Sequence, residues 1–238
     1  MNSILERIYE TSRVEDAEGN LIDPFPVAIP CETGTILYDL IQEYQCKNTL
    51  EIGLAYGLST LFICQAHRDK TEGNHIAIDP KQTQLWKSIG LLNIKRAGLE
   101  EYFRFFESPS YEVLPKLLEG REKFDLAFID GSHFFDYTLV DFFYIDKLLS
   151  VGKCVLFDDI WMPGIRKVLH YILRNRNYEI VKLKKSSTLS EYLTTIISRF
   201  WQNPFERDYG GIKFLPNNIC LLKKISEDKR DWRFHRSF

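Results

Sequence analysis

Three carboxylates and a histidine fall in two short motifs, Asp130-Gly131-Ser132-His133 and Asp158-Asp159, each directly after an apolar run (FDLAFI and KCVLF). Apolar runs of that length, bounded by turn residues, read as buried strands, so the acids stand at two strand ends. Carboxylates crowded together repel one another. Such a group stays ionised beside a cation, or one member takes up a proton. Oxygen donors in this arrangement suit a hard divalent ion such as Mg²⁺, held by Asp130, Asp158 and Asp159. The competing reading makes Asp158 a cap for the next helix and leaves Asp159 in water. His133 follows Asp130 by three residues and lies on the same rim. A neutral imidazole near pH 7 can take a proton from a substrate hydroxyl, so His133 and Asp130 are the candidate catalytic residues. Trp161, beside the acids, either walls an acceptor pocket or belongs to the core.

A second stretch, Thr49-Leu50-Glu51-Ile52-Gly53-Leu54-Ala55-Tyr56-Gly57-Leu58-Ser59, has the makings of a ligand seat. Leu50 and Ile52 flank Glu51 in a strand-like alternation, and the span 58–66 is apolar enough for a buried helix. Gly53 and Gly57 permit positive φ or a close backbone approach. Ser59 can set its hydroxyl beside the free N–H groups of the first helical turn. A strand, a glycine loop and a helix N-terminus together suit a polar or anionic ligand, although an ordinary turn with two glycines has the same letters. Asp79 ends the next apolar run, 26 residues after Gly53 and 22 after Gly57. An acid there can accept from both hydroxyls of a ribose. The loop lacks GxGxxG, and the chain has no GxxxxGK[ST], so neither a dinucleotide nor P-loop ATP is the expected guest. A nucleoside without phosphates fits better, and S-adenosylmethionine (SAM) is the member of that class expected here.

The elements that must position these residues alternate. Strands are expected at 49–53, 75–79, 102–106, 124–129 and 153–157, and helices at 58–68, 82–97, 110–119, 134–149 and 163–175. Strand followed by helix five times predicts an α/β fold, a Rossmann-like doubly wound parallel sheet. In such sheets ligands bind beyond the carboxyl ends of the strands, where Gly53, Asp79, Glu107, Asp130 and Asp158 all fall. After residue 176 the alternation stops. Two strand-like runs, 178–183 and 218–223, predict an antiparallel closure that brings the sheet to about seven strands. A helical stripe at 33–44 precedes the first strand, after a short helix at 3–11 and a stretch kept extended by Pro24, Pro26 and Pro30. The whole of 1–238 reads as one domain, with 1–47 an extension and leading helix and 186–216 an insert that serves as a lid or a homodimer contact.

Composition narrows the function. Lys and Arg number 31 against 33 Asp and Glu, a net charge of −2, which argues against a nucleic-acid-binding role. No apolar run approaches the roughly 18 residues that span a bilayer, so no membrane role is expected. The start, MNSILERIYE, has no secretory pattern, and the five cysteines contain no CxxC, so a cytoplasmic protein with reduced thiols is expected. His67, His75, His170 and His235 lack acidic company and read as structural.

The motifs together resemble the class I SAM-dependent methyltransferases, and within them the cation-dependent small-molecule O-methyltransferases related to catechol and caffeoyl-CoA O-methyltransferases. The likeness runs from about Cys31 to Gly164. CETGTILYDLI is similar to that family's helix before the first strand, and LEIGLAYGLST to its first SAM motif. The resemblance implies methionine-moiety contacts at Glu51, Gly53, Gly57 and Ser59, the ribose acid at Asp79, and an adenine border at Glu107-Ser108-Pro109-Ser110. FDLAFIDGSH is similar to the fourth-strand motif whose aspartate, here Asp130, binds the metal and borders the cofactor. FDDIWMPG resembles the fifth-strand motif. Two departures stand out: Asp158-Asp159 replaces the usual Asp-Asn, and His133 takes the place of the catalytic lysine. The expected function is O-methylation of a small hydroxylated acceptor with SAM and a divalent cation. A metal-independent methyltransferase using His133 as base is the runner-up, followed by a SAM-binding protein without turnover and a nicotinamide oxidoreductase.

Overall fold

The protein is described by a computed structural model covering residues 2–25, 27–183, 189–202, 205 and 207–238, so Pro26 and parts of the expected insert, Asn203 and Pro204 among them, lie outside the described residues. The chain forms two compact units, Met1–Leu126 and Ala127–Phe238.

The first unit opens with α1 (Ser3–Thr11), capped by Asn2, whose Oδ1 accepts the Ile4 N–H at 2.9 Å. A hairpin the sequence did not announce follows, β1 (Val14–Glu15) and β2 (Leu21–Ile22), turning around the buried Asp16. Asp16 Oδ1 accepts the N–H groups of Glu18 and Asn20 at 3.1 and 2.9 Å. The elements then alternate: α2 (Cys31–Glu43), β3 (Asn48–Ile52), α3 (Leu58–Asp69), β4 (Asn74–Ile78), α4 (Ile89–Arg96), β5 (Phe103–Phe106) and α5 (Ser110–Glu119). β4 lies between β3 and β5, parallel to both, with Leu50 opposite Ile76 and Ile76 opposite Arg104. β3 and β4 are buried beyond their first residues, as expected of parallel strands covered on both faces. α3 is buried from Leu58 to His67, which explains why its sequence shows no clean polar face.

Behind β3 runs a chain of buried polar side chains. His67 Nε2 meets Thr49 Oγ1 at 2.8 Å, Thr49 Oγ1 meets His75 Nδ1 at 2.9 Å, and His75 Nε2 meets Glu51 Oε2 at 3.2 Å. Two of the histidines read as structural, His67 and His75, are therefore partners of residues in the first motif stretch, Thr49 and Glu51. Burial, with His75 adding to it, pushes the His67 imidazole down to about 4. That folded value lies below the unfolded one of about 6.5, so the associated stability is fully present above pH 6.5 and is lost as pH falls toward 4, by about 3 kcal/mol in all. Urea unfolding of His67→Gln between pH 4 and 7 should show a flatter pH dependence than the wild type. Equal slopes would place the acid sensitivity elsewhere.

β6 (Phe124–Ile129) runs from the first unit into the second. The second unit then contains α6 (Phe135–Leu148), β7 (Leu149–Phe157), α7 (Pro163–Asn175), β8 (Tyr178–Val181), α8 (Leu189–Gln202) and β9 (Cys220–Lys224). β9 inserts between β7 and β8 and is antiparallel to both, with Phe157 opposite Cys220 and Tyr178 opposite Lys224. Lys224 is fully buried and donates to the carbonyls of Asp146 and Leu149 at 2.6 and 3.0 Å and to Glu227 Oε2 at 2.8 Å. The sheet has seven strands in the order β5-β4-β3-β6-β7-β9-β8, Rossmann-like and mostly parallel with one antiparallel strand.

The expected helix 82–97 begins only at Ile89, because Lys87 and Ser88 take left-handed φ values of 49° and 58°. The fifth strand starts at Leu149 rather than 153. Among the described residues no helix is long and apolar enough to cross a membrane.

Candidate active site

In the first unit the loop after β3 is held from every side. Gly53, Ala55 and Gly57 have φ values of 97°, 43° and 79°. The Leu54 and Ala55 N–H groups donate to Asp79 Oδ2 at 3.1 and 2.9 Å, and the Lys81 N–H donates to Asp79 Oδ1 at 2.8 Å. The loop's carbonyls are taken too. Gln82 Nε2 donates to the Ala55 carbonyl at 2.6 Å and Asn93 Nδ2 to that of Tyr56 at 3.0 Å. Gly57 faces Gly90: a Cβ on Gly57 would lie 3.1 Å from Gly90 Cα, and one on Gly90 would lie 2.7 Å from the Ala55 oxygen. These contacts fix a backbone cradle before any ligand arrives, the condition for tight binding at low ordering cost.

Asp79 is thus the anchor of the loop. A carboxylate has about four acceptor sites, so three amides leave room for a further donor such as a ribose hydroxyl. Glu51 is fully buried; its Oε2 accepts from the Thr60 hydroxyl and from His75, while Oε1 has no partner. Ser59 is buried in the first turn of α3. Ser108 Oγ donates to Glu112 Oε2 at 2.9 Å, and Ser110 opens α5. Glu107 Oε1 accepts from the Thr83 hydroxyl and N–H at 2.6 and 2.8 Å, which lowers its carboxyl below the usual value. Gln82, Gly90 and Asn93 escaped the sequence reading. They sit beyond the motif, in a span that looked like uninterrupted helix.

In the second unit the strand ends are tied by the Asp158 N–H, which donates to the Ile129 carbonyl at 3.1 Å. His133 and Asp159 both take left-handed backbone conformations, φ 58° and 52°. For non-glycine residues this costs on the order of 1–3 kcal/mol and is concentrated at working sites. Their side chains converge. His133 Nε2 lies 3.4 Å from Asp159 Oδ2 and 3.9 Å from Asp130 Oδ1. Asp130, His133 and Asp159 each offer one ligand atom, all within 4.8 Å of one another.

Of the expected trio, Asp130 and Asp159 come together with His133, and Asp158 lies outside that group. Asp158 is buried, and its Oδ1 accepts the Asp159 N–H at 2.8 Å. Burial pushes its carboxyl up to about 7; the Asp159 N–H opposes that rise and the charge of Asp159 adds to it. Nor does Asp158 cap α7, whose N-cap position is Met162. Asp159 is steered by one residue inside its motif, Trp161, and one far from it, Asn218. Its Oδ1 accepts from Trp161 Nε1 at 2.7 Å and Asn218 Nδ2 at 3.0 Å. Trp161, half-exposed, is neither core nor idle. Burial lowers the His133 imidazole, against the opposing charge of Asp159. Two carboxylates and an imidazole form a donor set that can hold a divalent cation. Without one, they leave a basic nitrogen on an acidic rim.

Residues 50–160 match the family model described as a methyltransferase domain. That stretch of the chain is similar to a methyltransferase domain. The residues just described fall within that match or at its edge, apart from Asn218. Catechol O-methyltransferase B of Danio rerio is 28% identical to the chain over 152 residues, covering 62% of the chain and 55% of that protein. Tapetum-specific methyltransferase 1 of Arabidopsis thaliana is 31% identical over 147 residues, covering 60% of the chain and 58% of that protein. The matched stretches thus span a little over half of these relatives' lengths. The fold extends further than the sequence likeness. The O-methyltransferase TomG from Streptomyces achromogenes, solved in complex with SAM, superposes with a TM-score of 0.65 at 16% identity, over 95% of the chain and 91% of TomG. The chain therefore shares the fold of that protein along nearly its whole length.

Proposed function

We propose that the protein transfers a methyl group from SAM to an oxygen of a small hydroxylated acceptor, with a divalent cation assisting. The observation that carries this reading is the glycine loop after β3, held open by Asp79, Gln82, Asn93 and the Gly57–Gly90 contact. A seat so fully satisfied by its own chain, with no pyrophosphate fingerprint, suits a nucleoside whose other end is an amino acid. On this reading Asp79 takes the ribose and the free Glu51 Oε1 faces the methionine end.

Methyl transfer is an in-line displacement at the sulfonium carbon. The protein has to align an ionised acceptor oxygen with that carbon. A divalent ion, when bound, lowers the pKa of the acceptor hydroxyl. Asp130, Asp159 and His133 would hold it, and Trp161 and Asn218 fix Asp159 for that task. The lowered His133 imidazole supports a second reading, in which His133 acts as the base. The acceptor O–H then breaks, its proton comes to rest on Nε2 between Asp159 and Asp130, and the oxygen takes the methyl group as S-adenosylhomocysteine leaves.

The deciding test is calorimetric titration with SAM and S-adenosylhomocysteine, followed by labelled-methyl transfer to a panel of catechols and other phenols. Binding of both nucleosides with label in the ether product is the expected outcome. Failure to bind either would remove the proposal, and binding without turnover on any acceptor would favour a SAM-binding protein instead.

A further inference from the structure

α8 carries large apolar side chains at Leu193, Ile197, Phe200 and Trp201, the spacing that puts residues on one face of a helix. That face is turned to solvent: the four are 50%, 54%, 38% and 81% exposed, and Phe205 and Phe214 nearby are 95% and 51% exposed. The helix cannot easily roll this stripe inward. On its other side Arg199 is fully buried, with Nη1 donating to the Leu215 carbonyl at 2.7 Å and Nη2 to that of Asn217 at 2.8 Å. Turning the helix would strip a buried guanidinium of its acceptors, a costly exchange.

We infer that this stripe is a two-fold interface with a second copy of the chain. Taking roughly 150–250 Å² for an aromatic side chain, the six exposed fractions amount to on the order of 800 Å², about one partner's share of a standard interface. Patches of that size seldom stay bare on a monomer. The composition is that of an interface core: three phenylalanines, a tryptophan and two aliphatics, and Lys213, whose Nζ lies 5.0 Å over the Phe200 ring, is itself buried. A helix that lies on a membrane instead sets Lys and Arg along its polar face. Here the exposed flank bears Thr194 and Ser198, and the helix's one basic residue is the buried Arg199. A net charge of −2 does not favour an anionic lipid surface either. Self-complementary apolar stripes close on themselves through a dyad. An antiparallel crossing would set each Trp201 opposite Leu193 of the other copy.

Sedimentation equilibrium on the full chain tests this. The wild type should run at twice the 28.0 kDa chain mass. Ile197→Glu combined with Trp201→Glu should raise the dissociation constant at least about a hundredfold. Trp232→Glu, at a position 89% exposed but off the stripe, should leave it unchanged. Should the double variant fail to fold, hydrogen exchange on the wild type carries the test: amides of 193–201 should slow as protein concentration rises. A monomeric wild type, or a dimer untouched by the double variant, would overturn the inference. Protection that follows cofactor and acceptor rather than concentration would overturn it in favour of a lid. Binding to phosphatidylcholine–phosphatidylserine vesicles in place of self-association would overturn it in favour of a membrane.

Discussion

Protein stripped of divalent metal should transfer methyl groups at least about a hundredfold more slowly than protein supplied with it. Mn²⁺ should restore the rate better than Mg²⁺, because an imidazole in the donor set suits a transition metal and magnesium prefers oxygen alone. The cation should also raise the melting temperature, since it binds the folded state only. Asp130→Ala and Asp159→Ala should abolish that rise, whereas Asp158→Asn, outside the cluster, should keep most of it. The second reading makes the opposite prediction: a rate indifferent to chelator that collapses in His133→Ala. Full turnover by protein verified free of metal would end the cation's part and leave His133 as the base.

Asp79→Ala should weaken SAM binding on two counts. It removes a charge-assisted acceptor for the ribose, a loss of roughly 1.5–3 kcal/mol, or ten- to a hundredfold and somewhat beyond. It also releases the amides of Leu54, Ala55 and Lys81. The loop should then lose its rigid form, so the binding entropy should become less favourable and exchange of the 54–57 amides faster even without ligand. Asp79→Asn separates the two effects: it can still accept from the loop but lacks the charge. Wild-type affinity in folded Asp79→Ala would rule out the ribose role.

The strands and the helices that bury whole faces were legible because their periodicity is local. So were the glycines, whose loop must leave ordinary backbone space, and the acids, which follow apolar runs without a break. What could not be read depends on distance along the chain. Asn218 reaches Asp159 only because β9 is laid beside β7, and no spacing between residues 159 and 218 encodes that. Gly90 looks like a weak spot in a helix until the Ala55 carbonyl is found where its side chain would be. Asp159 and His133, whose side chains converge, both take left-handed backbone conformations. Neither residue type demands such a conformation, so composition gave no hint of it. Glu51 was legible as a motif letter, but its link to His75 and Thr49 needed the register of β3 against β4.

The placement of β9 bears on how the chain matures. β9 leaves the ribosome after β7 and β8, yet it fills the gap between them. Until Cys220–Lys224 emerges, each of those strands presents bare N–H and C=O groups along an open edge, the condition that invites mispairing. Lys224 rides in on the same strand and enters the interior only as part of it. Asn218, just ahead of the strand, reaches Asp159 at the same step. Closing the sheet and setting the acidic rim are therefore one event, so a nascent chain that has not finished folding its carboxyl-terminal half has no completed acidic rim.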